Sequence, residues 1–146
     1  MKRTAVIDII SAILLLLLLY TAISKFIEYR SFKEVLSVSP LLKPFAGFIA
    51  WALPFLELVI VILLFIPALR IKGLYASLLL LIILTAYLIY MILFTPNLPC
   101  SCGGVLKDLT WPQHVLFNLF FVILSGTGII LARRRFIMRI RGEAPT

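Results

Sequence analysis

Four long apolar stretches decide what this chain can become. They run from about Thr4 to Ile23, Phe45 to Leu69, Leu74 to Phe94 and Gln113 to Leu131. Each is close to the ~20 residues needed to cross about 30 Å of hydrocarbon. No water reaches that depth, so each stretch must satisfy its own backbone hydrogen bonds, and a helix does this within one segment. Composition agrees: 63% of residues are hydrophobic and 14% charged, whereas a soluble domain is about half apolar and a quarter charged. The expected fold is all-α: a polytopic membrane protein, residues 1–146 forming a single four-transmembrane-helix bundle.

The formal charge of +8 could suit nucleic acid, but the basic residues are not spread as a nucleic-acid surface would need. Arg133, Arg134, Arg135, Arg139 and Arg141 form a basic tail, 132–146, directly after the last apolar run. That is where cations hold a helix end on the cytoplasmic side. The expected partner is therefore the lipid bilayer, with no nucleic acid. With the N-terminus inside, Lys2, Arg3, Arg70, Lys72 and the five tail arginines face the cytoplasm, against Lys25, Arg30, Lys33, Lys43 and Lys107 outside. The bias places both termini in the cytoplasm of a multi-pass inner (plasma) membrane protein. The first stretch exceeds a usual signal-peptide core and carries Asp8 near its start, so it is read as a retained span.

The connections are short. Arg70-Ile71-Lys72-Gly73 reads as a tight turn pairing the second and third spans. Between Lys25 and Pro44, Phe32, Val35 and Leu36 recur at helical spacing, which predicts a short outer interfacial helix. Thr110-Trp111-Pro112-Gln113 has the spacing of a capping box with proline in the first turn, and so predicts where the fourth helix begins.

The two cysteines of the chain, Cys100 and Cys102, stand one residue apart in Pro99-Cys100-Ser101-Cys102-Gly103-Gly104, between the third and fourth spans. On the topology above they face an extracytoplasmic compartment, where disulfides persist. A turn brings Cα atoms at this spacing within the roughly 6.8 Å limit for a bridge. Such a small ring is strained, and strained, exposed disulfides are the labile, catalytic ones. A clip enclosing one residue removes little chain entropy, so a purely stabilising role is weak. His114, the single histidine, falls in the first turn of the fourth helix. A neutral imidazole there could take a thiol proton, or simply pack at the water boundary.

Glu57 lies at the centre of the second span, where an acid costs at least ~2.5 kcal/mol to insert. It needs a partner facing it; Lys25, Tyr87, Tyr90 and Asn118 are candidates. His114 and Asn118 are four apart and share a helix face. Gly126 and Gly128 read as places of close helix approach.

Taken together, Tyr20-x3-Ser24-Lys25, Trp51-x2-Pro54-x2-Glu57, the Cys-x-Cys loop and Trp111-x2-His114-x3-Asn118 resemble the MauE branch of the DoxX-like, redox-associated membrane proteins. The resemblance spans Thr4 to Arg135 and departs at Gly103, where phenylalanine stands in the family's Cys-x-Cys-Phe-Gly form. It implies a role in methylamine utilisation, in maturing methylamine dehydrogenase, whose small subunit is rich in disulfides.

The expected function is thiol–disulfide exchange at Cys100 and Cys102 with an extracytoplasmic disulfide-rich or thioredoxin-like partner. His114, Glu57, Asn118 and Lys25 are the candidate supporting residues. Whether the chain is itself a thiol–disulfide oxidoreductase stays open. No cofactor is expected beyond a redox-active disulfide, with a quinone or metal left open. The alternatives are a soft-metal module, in which Cys100, Cys102 and His114 hold copper or zinc for delivery, and a non-catalytic accessory subunit.

Overall fold

The structure is a computed structural model that describes residues 2–94 and 110–141. Four long helices, α1 (Lys2–Ile27), α3 (Ala46–Phe65), α4 (Arg70–Phe94) and α5 (Trp111–Ile140), carry the fold. A short helix, α2 (Tyr29–Val38), and a 3-10 turn, Lys43–Phe45, lie between α1 and α3. All four long helices are long and apolar enough to cross a membrane. The chain is an all-α, multi-pass membrane bundle.

The four helices close a ring in which α1 packs on α3, α3 on α4, α4 on α5 and α5 back on α1. Neighbours run antiparallel: Lys25 near the end of α1 meets mid-α3 Glu57, while Asp8 near its start meets Arg70. Likewise Ser77, early in α4, meets Ser125, late in α5. One end of the bundle therefore carries α2, and the other the α3–α4 hairpin. Phe94 and Trp111 both lie at the α2 end, so the connection from α4 to α5 leaves and returns there.

Leu14, Leu18, Ile60, Leu64, Leu74, Leu81 and Phe121 fill the ring's interior. Large apolar side chains also cover the outside, among them Leu16, Phe48, Phe55, Leu79 and Ile123. A helix apolar all round has found its solvent in lipid.

Helix bounds differ from the apolar stretches for local reasons. The second stretch, read to Leu69, stops being helical at Phe65, because Ile66 precedes Pro67 and takes an extended conformation (φ −80°, ψ 115°). Arg70 to Gly73 are then not the turn but the opening of α4; the reversal is made by residues 66–69. Gly73 permits it: a Cβ there would lie 2.9 Å from the Leu64 backbone nitrogen. At the other extremes α1 continues to Ile27, and α5 runs through four tail arginines to Ile140. The interfacial helix forms as α2, with its apolar side turned inward: Val35 and Leu36 are buried, and Leu36 packs with Ala46 and Ala50 of α3.

Candidate functional site

In a helix the Cα–Cβ bond leans toward the N-terminus, and long side chains follow it. Lys25 sits two residues from the end of α1. Leaning back carries its ammonium into the bundle, where Nζ comes within 3.4 Å of the Thr21 carbonyl oxygen. Glu57, halfway along the antiparallel α3, leans the opposite way, toward the α2 end. The two side chains converge, and Lys25 Nζ donates to Glu57 Oε1 at 2.8 Å. Their exposures are 17% and 1%, so this is an intramembrane ion pair rather than a lysine reaching for water.

The surroundings complete a small polar cluster. The Thr21 side chain lies beside the carboxylate, and the Phe32 ring of α2 lies 5.8 Å from the ammonium, a cation–π contact. Glu57 Oε2 is buried and has no hydrogen-bond partner among the described residues. A buried carboxylate oxygen in that position can accept a donor brought by a substrate or a proton carrier. Beneath it, Pro54 and Ala50 keep the same face of α3 narrow, and both are buried. Around the lipid side of the α1–α3 seam, the Trp51 ring packs on Phe26 and Tyr29, with centroids 5.7 and 5.9 Å away.

His114 enters from α5. The capping box forms as the spacing predicts: Thr110 N–H donates to Gln113 Oε1 at 2.9 Å, and the Thr110 side chain accepts from the Gln113 backbone. This cap sets the first turn, in which the His114 N–H donates to the Thr110 carbonyl at 3.0 Å. The imidazole is half-buried, and Lys25 acts on it electrostatically. Asn118 lies one turn further in and is buried. Neither His114 nor Asn118 hydrogen-bonds to the ion pair among the described residues.

Of the candidates for Glu57's partner, Lys25 takes the place. Tyr87 packs instead with the Leu36–Ala46–Ala50 cluster, and Tyr90 stacks on Phe94 at 5.0 Å. Sequence reasoning missed Thr21 and Phe32 as members of the site. Thr21 was findable, since it stands one helical turn before Lys25; Phe32 was not, since its reach depends on how α2 folds back. Cys100 and Cys102 lie outside the described residues, so the metal alternative at Cys100, Cys102 and His114 lies outside them too. Among the described residues no three His, Cys, Asp or Glu side chains cluster as metal ligands.

These features define a four-span membrane protein with a polar site inside one end of the bundle. The chain belongs to the MauE family: the family model described as methylamine utilisation protein MauE matches residues 3–131. No curated protein and no solved structure matches it.

Proposed function

We propose that this protein is a membrane accessory factor for disulfide formation, working through Cys100 and Cys102 on the extracytoplasmic side. The observation that carries the reading is the convergence at one end of the bundle. Phe94 and Trp111 both lie there, so the connection bearing the two cysteines departs from and returns to the end holding Lys25, Glu57 and His114. Membership of the MauE family supports an accessory role, and the family's name points to methylamine utilisation, with the methylamine dehydrogenase small subunit as a fitting client.

The exchange is balanced without a cofactor. A client thiolate attacks one sulfur of the Cys100–Cys102 disulfide; that S–S bond breaks, a mixed disulfide forms, and the released thiolate takes a proton. A second client thiolate then displaces the protein's sulfur. The client has lost two electrons to the cysteine pair, which a thioredoxin-like partner's disulfide restores by the reverse exchange. His114 and the Lys25–Glu57 pair are suited to receive and return the protons of these steps.

The test is thiol trapping in intact cells with membrane-impermeant and permeant maleimides, before and after mild reduction. External labelling that appears only after reduction, together with loss of client disulfides in Cys100→Ser and Cys102→Ser, is the expected result. Labelling confined to the cytoplasmic side, or full client oxidation in the double serine variant, overturns the reading.

A further inference from the structure

Helix α5 is too long for the bilayer it crosses. Its 30 residues extend about 45 Å at 1.5 Å per residue, against about 30 Å of hydrocarbon. It starts at Trp111, a residue type that settles at the headgroup level. About twenty residues further on, Arg133, Arg134 and Arg135 meet the opposite headgroup layer, still helical and all exposed.

The charge at this end is one-sided. Helix α5 contains no Asp or Glu. Gly128 sits against Ile10 of α1 and Leu74 of α4, which puts the ends of these three helices together. Arg70 and exposed Lys72 open α4 at this end, and the nearby acid, Asp8, is already paired with Arg70. The five-residue step from Gly128 to Arg133 therefore brings three more cations to a rim whose one acid among the described residues, Asp8, is already paired.

The same segment is also amphipathic. Phe136, Ile137 and Ile140 are bulky and exposed. At about 100° per residue they fall within an arc of roughly 100°. Arg134 and Arg141 flank that arc on one side and Arg135 on the other, while Arg133, one turn nearer the bilayer, stands on the arc's own side. Three large apolar side chains at the point where the helix leaves the hydrocarbon core need cover, and lipid at the headgroup–acyl boundary supplies it beside the arginines. An acidic protein would answer the arginines alone, whereas acidic lipid answers both the charge and the apolar arc.

We propose that the end of α5, from Arg133 to Arg141, is a binding surface for acidic phospholipid headgroups, with Phe136, Ile137 and Ile140 packing against the same lipids where the helix emerges. This stands independently of the cysteine chemistry. The test reconstitutes the full chain in phosphatidylcholine bilayers. Electron paramagnetic resonance then measures the motionally restricted fraction of spin-labelled phosphatidylglycerol and of spin-labelled phosphatidylcholine. Phosphatidylglycerol is expected to associate at least about fivefold more strongly, the factor that one basic residue near an acidic surface contributes. The variant R133Q/R134Q/R135Q should bring the two lipids to parity, and R133K/R134K/R135K should keep the preference because the interaction is with net charge. All three positions are exposed, so neither variant disturbs the core. Equal restriction of the two lipids by the native chain overturns the proposal, as does a preference that survives the glutamine variant.

Discussion

Among the described residues, the two ends of the bundle each carry one ion pair between α1 and a neighbouring element, and the two pairs have opposite settings. At the α2 end Lys25 and Glu57 are 17% and 1% exposed. At the hairpin end Asp8 and Arg70 are 57% and 23% exposed. The second is an ordinary surface pair, in which solvent screening leaves little net stabilisation. The first has been taken out of water, and a buried pair stabilises less than packed apolar side chains would. It lies inside a membrane bundle, with one carboxylate oxygen unpartnered among the described residues.

The ends also differ in how the helices approach. The hairpin end is held by small residues. Gly73 abuts the Leu64 backbone, and Ser125 donates to the Leu74 carbonyl at 3.0 Å while standing 3.2 Å from the Ser77 hydroxyl. The α2 end is held by rings and by the folded-back α2, an arrangement that leaves room for polar groups. Close backbone and hydroxyl contacts join the helices at one end; ring contacts and an ion pair join them at the other.

Breaking this contrast should have its largest effect at Lys25. Lys25→Met leaves Glu57 buried without its cation and is expected to cost about 3–5 kcal/mol. Reversible unfolding in mixed micelles would measure it. The double variant K25M/E57L should recover most of that stability while still lacking activity. A double variant as unstable as the single one would show that the pair itself holds the fold.

Gly73→Ala comes next. Its Cβ would lie 2.9 Å from the Leu64 backbone nitrogen and 3.0 Å from the Leu63 carbonyl carbon. Because backbone cannot step aside as a side chain can, about 1–3 kcal/mol of destabilisation is expected. Gly128→Ala meets the Ile10 side chain at 3.1 Å, and should cost less, on the order of 1 kcal/mol, because side chains can shift. Gly126→Ala has nothing within 4 Å and should be neutral, or stabilising by about 0.5–1 kcal/mol through helix propensity. The same unfolding assay ranks the three, and a Gly126 variant as damaging as Gly73→Ala would contradict the packing described.

The smallest effect belongs to the exposed pair. Asp8→Asn should change stability by less than about 1 kcal/mol, with the difference shrinking further in high salt. A loss comparable to that of Lys25→Met would erase the distinction between the two ends.

Much of this was legible in the residues. Long apolar runs announce membrane helices because lipid permits no other local solution, and the capping box at Thr110 and Gln113 locates the start of α5 because its hydrogen bonds are local. The placement of the hairpin was less legible. Hydropathy does not distinguish a helix from an extended apolar residue ahead of proline, so the runs alone extended α3 to Leu69 and made a loop of the first turn of α4. Of the two glycines of α5 read as close contacts, Gly128 is one and Gly126 is not, because which helix face meets a neighbour depends on that neighbour.

The sequence by itself determined that this is a four-span helical membrane protein, that its charge is unevenly divided between the ends, and that one acid lies at mid-span and needs a partner. Each of these follows from the cost of exposing backbone or charge to hydrocarbon, a property of single segments. Only the tertiary structure chose Lys25 over Tyr87, Tyr90 and Asn118 as that partner, turned the apolar side of α2 inward and brought Phe32 over the ammonium. Those outcomes depend on the antiparallel approach of helices far apart in sequence, whose side chains each lean toward their own N-termini until they meet.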